Sequence, residues 1–479
     1  MEENRKRYDD ENGKEKGVAI KSGVGQRLAR YLIGGVSPYH VVRQCVEDLS
    51  NRGFEELTMS GDWHLREGGR YYINHHGTTL LAFALPKREA MLAGGNGLTG
   101  ERAPSLRIAC AHTDFPCLRV KPAPDLTGNG YHRLNTEVYG GAILNTWLDR
   151  PLGIAGRVVL ASGDPFAPEE RLYDSGRPIL TVPNLAIHMN PEINKGQALN
   201  RQTDLMPLFA AEVGACGDAC GDGRDGEKAE NGGEFSDFLR TELGETKDPL
   251  EYDLTVYVAE EPALLGRNRE FLSAPRIDNI SSVAAVMENL TAFSDAEPGC
   301  LQVAAFFDHE EIGSRTKQGA LSALLTDALE KLYESVGYSA RQAKDAIYDG
   351  MMLSVDVAHA LHPNHPEKAD VTSRPVMTRG FCIKQAAAQS YATDAAAIAV
   401  VEQLARQHGI RCQRYANRSD MAGGSTLGSL SSTLLPMRTV DIGIPVLAMH
   451  SARELMGVSD LEALGELIGV FYGCGKERR

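Results

Sequence analysis

The alternation of apolar and polar positions divides the chain into three stretches of different texture. In the first, residues 26–33 and 39–51 repeat apolar side chains at helical spacing, with Ser37-Pro38 between them as a helix-start signal. Residues 78–85 and 105–111 are short apolar runs without that spacing; they predict strands, and Pro86 stops the first. From about Lys121 the pattern breaks into short β-like pieces separated by Gly and Pro, among them 156–161 and 177–188. Strand-like 252–258 closes this block. The third stretch alternates again: helix 281–291, strand 301–305, helix 320–333, strand 351–355, strand 380–383, helix 386–407 and strand 445–449. Strands alternating with helices imply an α/β fold, a mostly parallel sheet flanked by helices, here interrupted by a β-rich insertion. The expected division is one domain made of 22–121 and 262–479, with an inserted domain over 122–261.

Composition changes this picture at the edges. Residues 1–21 are dense in charge, lack the apolar core of a signal peptide and are expected to be a disordered tail. Residues 216–234 are rich in Gly, Asp and Glu and predict a mobile surface loop. The formal net charge of −14 disfavours nucleic acid or an anionic membrane as partner, and no apolar run is long enough to span a bilayer. Nine cysteines without framework spacing fit reduced thiols and a cytoplasmic location. Cys216 and Cys220 form a close pair, but two thiols do not make a structural zinc site.

The chemistry concentrates where predicted strands end. After the apolar run 301–307 come Asp308, His309, Glu310 and Glu311, four ionisable groups beside a core, a burial that a cation would relieve. Successive strand residues point to opposite sides, so one glutamate is expected to ligate a metal while the other works on its water. The strand ending at His112 is followed by Asp114, spacing that suits an imidazole ligand oriented by a carboxylate. Asp278 precedes a helix, where an N-cap is the ordinary reading; Asp356 and His450 follow the strands 351–355 and 445–449. Ligands of open α/β sheets gather at strand carboxyl ends. Two imidazoles and three carboxylates are enough for two zinc-type ions about 3.5–4 Å apart, as in two-metal aminopeptidases. His359, His362 and His365 mimic a helical metal cluster, but Pro363 and Pro366 forbid the helix, so they are assigned to a loop lining the site. The Gly-rich turn 420–426 lacks a phosphate loop's lysine and preceding strand, which excludes nucleotide binding.

These motifs together resemble the aspartyl aminopeptidases among the dinuclear zinc exopeptidases. The likeness runs from about residue 28 to about 475 and rests on His112-Thr113-Asp114, 116–121, Trp147-Leu148-Asp149-Arg150, 275–279, 310–314, 356–360 and Ala448-Met449-His450-Ser451. Phe115 stands where the family has Ser, and Pro151 where it has Asp. The resemblance implies one metal held by His112 and Asp356, the other by Glu311 and His450, and Asp278 bridging. It implies Glu310 as general base, Asp114 orienting His112, and Lys384 with a neighbouring subunit's equivalent of His188 as substrate-binding residues. It further implies that the insertion is a dimerisation domain and that the protein is a homo-oligomer, a dodecamer built from dimers. The expected activity is a metal-dependent aminopeptidase acting on peptides with N-terminal Asp or Glu. The expected cofactors are two divalent ions per subunit, zinc first, with Mn2+ and Co2+ as alternatives. The rival readings are a broad dinuclear zinc aminopeptidase, a deacylase, or a catalytically silent scaffold of the same family. The complete ligand set together with Glu310 argues against silence.

Overall fold

The computed structural model describes residues 20, 22–87, 103–212, 233–291, 300–421 and 423–473. The tail expected over 1–21 and the loop expected over 216–234 lie almost wholly outside these residues. Two compact units are present: one of residues 1–115, 261–449 and 454–479, the other of 116–260 and 450–453.

The first unit begins with helices α1 (Gly23–Gly34) and α2 (Pro38–Asn51) and strands β1 (Glu55–Glu56), β2 (Arg70–His75), β3 (Thr79–Ala84) and β4 (Leu106–His112). It continues with α3 (Ile277–Thr291), β5 (Leu301–Phe307), α4 (Leu324–Ser335), α5 (Ala340–Tyr348), β6 (Met351–Val355), β7 (Phe381–Gln385) and α6 (Ala395–His408). Strand β8 (Cys412–Ala416), α7 (Leu427–Leu434), β9 (Arg438–Gly443) and α8 (Val458–Gly473) complete it. The nine strands form one sheet in the order β1-β2-β3-β5-β4-β6-β9-β7-β8. Its centre, β5-β4-β6-β9, is parallel, and β7 runs antiparallel to β9. This is the expected α/β architecture.

Strand β5 shows why these runs are nearly all apolar: both faces are covered. Leu301, Val303, Ala305 and Phe307 share one cluster with Leu325, Leu329 and Tyr333 of α4. On the opposite face the Gln302 amide donates to the carbonyl of Tyr472 in α8 at 3.0 Å. The parallel register sets His112 level with Phe307, and β6 ends beside the same edge of β4. Three strands therefore deliver their following residues to one edge. A smaller five-stranded sheet in the same unit includes Phe271–Ala274 paired with Glu454–Gly457.

Two of the boundaries that differ from the expectation bear on the site. The helix predicted over 386–407 starts only at Ala395, where Asp394 caps it by accepting from the Ala397 N–H at 2.8 Å. Residues 386–394 are a loop, because their polar groups bond elsewhere in the fold. The strand predicted over 445–449 is Pro445–Leu447, and the chain leaves it with Ala448 and His450 in the left-handed region.

The second unit is one six-stranded antiparallel sheet: Glu169–Asp174, Leu152–Leu160, Glu251–Val258, Cys117–Gly128, Tyr131–Tyr139 and Leu208–Ala211, in spatial order. Helix Glu234–Leu243 packs Phe235 and Phe238 against Phe209. Among the described residues no helix is long and apolar enough to cross a membrane.

A buried ion cluster joins α1, α2 and α3. Asp48 accepts from Arg27, from both terminal nitrogens of Arg30 at 2.7 Å, and from the Tyr31 hydroxyl at 2.7 Å, while Arg27 Nε reaches Glu288 at 2.8 Å. Burial disfavours the Asp48 carboxylate, but the bonds from Arg30 and the charge of Arg27 outweigh it and hold its pKa below the usual range. Removing one partner strands a buried charge, so Asp48→Ala is expected to lower unfolding stability by about 3–5 kcal/mol in urea titrations at pH 7. Because the native pKa is depressed, this contribution is present above the ordinary carboxylate range and lost as pH falls through the native value. The gap between wild type and variant should therefore close on acidification.

Candidate metal centre

The edge where β4, β5 and β6 end brings His112 together with the carboxylates of Asp114, Asp278, Glu310, Glu311 and Asp356. His112 is the last residue of β4 and is 1% exposed. Its Nδ1 lies 3.0 Å from the Asp114 carbonyl, which favours the tautomer protonated there and leaves the Nε2 lone pair for a ligand. Nε2 faces Asp278 Oδ1 at 3.3 Å and Asp356 Oδ1 at 3.7 Å.

Asp114 does more than orient His112. Its Oδ1 lies 3.3 Å from His112 Nδ1, and its two oxygens accept the backbone N–H groups of Glu310 and Glu311, both at 3.1 Å. Those glutamates do not continue β5. They begin a 3-10 turn, Glu310–Ile312, entered through His309 at φ +63° and left through Gly313 at φ +98°, a value that favours glycine. The strand alternation expected to separate their roles is therefore replaced by this turn, and Asp114 is the post on which it is hung.

Asp278 sits at the start of α3 with non-helical backbone (φ −76°, ψ 108°), so it does not act as a helical first-turn residue. Its N–H donates to Glu454 at 2.9 Å, which ties it to the smaller sheet, and the next residue, Asn279, donates its amide to the Val355 carbonyl at 3.0 Å. Nearby, Arg276 donates to the Leu32 carbonyl at 2.6 Å and lies over the ring of buried Phe115. Glu454 and Asn279 were not singled out from the sequence; Asn279 lies inside the 275–279 motif, and Glu454 three residues after the 448–451 motif.

Asp356 follows β6, and its Oδ2 is 3.3 Å from the ammonium of Lys384 on β7, which also donates to the Val357 carbonyl at 2.9 Å. Burial opposes the charge on each, but the pairing outweighs it: Lys384 is held above its ordinary value and Asp356 below. Burial pushes Glu310 up to about 8, and the carboxylates of Asp356, Asp114 and Asp278 push the same way. His112 is lifted well above its usual value, because bonds to Asp114, Asp278 and Asp356 outweigh its desolvation.

The other two predicted residues belong to the second unit. His450 lies in the 450–453 segment, its Nδ1 3.2 Å from the Gly141 carbonyl, the same device that sets the tautomer of His112. Its turn is fixed by the Ile143 N–H on the His450 carbonyl at 3.0 Å, and Arg453 and Arg150 share Glu260. His188 is exposed on the loop after Asn184, which bonds Asp149 of the Trp-Leu-Asp-Arg motif at 2.7 and 2.9 Å. His359, His362 and His365 are also exposed.

The family model described as Aminopeptidase I zinc metalloprotease (M18) matches residues 31–472. This chain belongs to the M18 aminopeptidase family. A probable M18 family aminopeptidase 2 of Clostridium acetobutylicum is 39% identical over 449 residues, covering 93% of this chain and 98% of that protein. Ape4 in a cryo-EM complex with Nbr1 superposes with a TM-score of 0.85 at 29% identity, over 94% of this chain and 85% of that one. The S. cerevisiae mApe1 dodecamer shares the fold, with a TM-score of 0.76 at 24% identity over 95% and 97% of the two chains. The chain is thus a zinc-dependent aminopeptidase.

The donors of this M18 aminopeptidase fit the metal its family implies. One nitrogen of His112 and one oxygen each of Asp278 and Glu311 lie within 4.8 Å of one another. A set of imidazole nitrogen and carboxylate oxygens suits zinc.

Asp114→Asn tests the post. An amide keeps one accepting oxygen but turns a donor toward the second of the two N–H groups, so the turn must shift. The loss expected for such an outer partner is about 10–100-fold in zinc affinity or activity. Chelator competition and kcat/KM measure it; unchanged values would show that the turn holds without Asp114.

Proposed function

We propose that this M18 aminopeptidase removes N-terminal aspartate and glutamate from peptides, using two divalent ions per chain, zinc before manganese or cobalt. In this reading His112 and Asp356 hold one ion, Glu311 and His450 the other, and Asp278 serves both. A divalent ion bound there polarises the scissile carbonyl and lowers the pKa of the attacking water. Glu310 takes the proton of that water on its carboxylate and passes it to the leaving amine. Its place in the same 3-10 turn as Glu311 supports this role, since the turn sets its carboxylate beside a proposed ligand. Asp114 keeps Glu310 aimed through the N–H bond at 3.1 Å.

The observation that carries the acidic preference is Lys384, an ammonium that is 2% exposed within the carboxylate cluster. Five carboxylates would repel an acidic side chain, and a lysine held charged at their edge offsets that repulsion. We further propose a cytoplasmic homo-oligomer, a dodecamer built from dimers, with the inserted unit as dimerisation domain and His188 completing a neighbour's site. The dodecamer of fold-sharing mApe1 supports the assembly, and free thiols at Cys45, Cys110, Cys382 and Cys412 fit the compartment. Peptides are the partners; nucleic acid and membrane are not expected.

Two variants test this. Glu310→Gln keeps the shape but cannot take a proton, so kcat should fall by about 10²–10⁴-fold with zinc content unchanged. Near-normal turnover would move the base elsewhere. Lys384→Met should lose about 10–150-fold in kcat/KM against N-terminal Asp and Glu, the value of one charge-assisted bond, while a Leu substrate changes little. Equal losses on all substrates would make Lys384 a support for Asp356 alone, and a wild-type preference for Leu or Lys would end the acidic reading.

A further inference from the structure

Behind Lys384 lies a second buried carboxylate that the proposed chemistry does not use. Asp441 on β9 is 0% exposed. The antiparallel register pairs Cys382 with Gly443 and Ile383 with Ile442, which carries Lys384 alongside Asp441. Besides the Ser354 hydroxyl on the neighbouring β6, the carboxylate binds two separate segments. Its Oδ2 accepts the Ala392 N–H at 2.6 Å, and its Oδ1 accepts the Thr426 hydroxyl at 2.5 Å. The Asp441 N–H in turn donates to Thr393 Oγ1 at 2.9 Å. The two segments are joined to each other by the Thr426 N–H on the Ser390 carbonyl at 3.2 Å.

The first segment is the loop that replaces the expected start of helix α6. It carries Tyr391, buried at 4% exposure, whose ring centroid lies 4.8 Å from the Lys384 ammonium. The second is the Gly-rich turn that carries no phosphate-loop chemistry. It leads into α7, where a Cβ on Gly428 would come within 2.9 Å of Asp441 Oδ1. Asp441 therefore sits where the loop over the lysine and the turn beside it are fastened to one strand.

We propose that Asp441 is a positioning residue for acidic specificity: by fastening the Tyr391 loop and the Thr426 turn, it fixes where the Lys384 ammonium is presented to substrate. This rests on the reading of Lys384 as the substrate-binding cation. A lysine has a long, flexible stem, and a tenth of a nanometre of drift in its head is enough to spoil a pairing that depends on distance. The ring of Tyr391 and the carboxylate of Asp356 bracket that head from two directions. Asp441 touches neither substrate nor metal in this scheme.

The test compares three variants on Asp and Leu substrates, with zinc content and thermal unfolding followed in each. Asp441→Asn can keep both bonds, accepting from Ala392 with its oxygen while the Thr426 hydroxyl turns to accept from its amide. It should stay within about threefold of wild type on both substrates. Asp441→Ala breaks both bonds, and KM for the Asp substrate should rise about 10–100-fold, the range of an outer-shell partner, with the Leu substrate and zinc content little changed. Thr426→Val removes one donor and, should the alanine variant fail to fold, is the fallback: it should show the same selective rise, smaller. Equal losses on Asp and Leu substrates, or an Asn variant as poor as Ala, would overturn the role of Asp441 while leaving Lys384 standing. A Lys384→Met enzyme with undiminished Asp selectivity would overturn both.

Discussion

The crowding of five carboxylates round one imidazole is the constraint on which this structure turns. Two like charges 4 Å apart at an effective dielectric near 20 repel by about 4 kcal/mol, and several such pairs meet here. The fold answers with fixed positive ends: two backbone N–H groups on Asp114, the Asp278 N–H on Glu454, and the Lys384 ammonium on Asp356. None of these can neutralise the whole cluster. Burial lifts Glu310 and the surrounding carboxylates add to it, while the same carboxylates lift His112 against its own burial; a divalent cation would relieve that excess of negative charge. The site is built to be completed by metal.

The sheet explains how such a cluster is assembled without unfolding its surroundings. Parallel strands end at a common edge, and the apolar stems of β4, β5 and β6 are sealed on both faces, so their last residues are anchored by buried neighbours rather than by each other. Repulsion at the edge is thereby resisted by packing that lies well inside the domain. Irregular backbone gathers where the donors stand: His309, Gly313 and Ser314 around the 3-10 turn after β5, Arg276 beside Asp278, and Ala448 and His450 after the last short strand are all at positive φ.

Much of this was legible in the sequence, and for a physical reason. Strands buried on both faces are written as continuous apolar runs, and charged residues at their ends stand out against them. Strand β9 was not legible, because Thr439 and Asp441 interrupt its apolar character, and β8, with Gln413 and Arg414, reads as loop for the same reason. The start of α6 was not legible because 386–394 is rich in Ala, the best helix former, while the bonds from Asp441 and Thr426 that hold the loop come from distant positions. Glu454 and Asn279 were hidden likewise: each acts through a partner remote in sequence, 176 positions for Glu454 and 76 for Asn279.

The most economical feature of the site is that one ammonium faces two ways. Lys384 neutralises Asp356, a proposed metal ligand, and in the proposed function also meets the acidic side chain of the substrate. A guanidinium would be a poor substitute, since its planar fork needs room that a 2% exposed pocket beside Tyr391 and the Val357 carbonyl does not offer. A compact ammonium has three N–H donors and can meet two carboxylates from one position. In the proposed function, metal affinity and substrate choice are then coupled through a single charge: the share of the Lys384 ammonium that pairs with substrate would be withdrawn from Asp356 and leave it a stronger donor to the metal. An acidic substrate, and not a neutral one, would tighten the centre that is about to act on it.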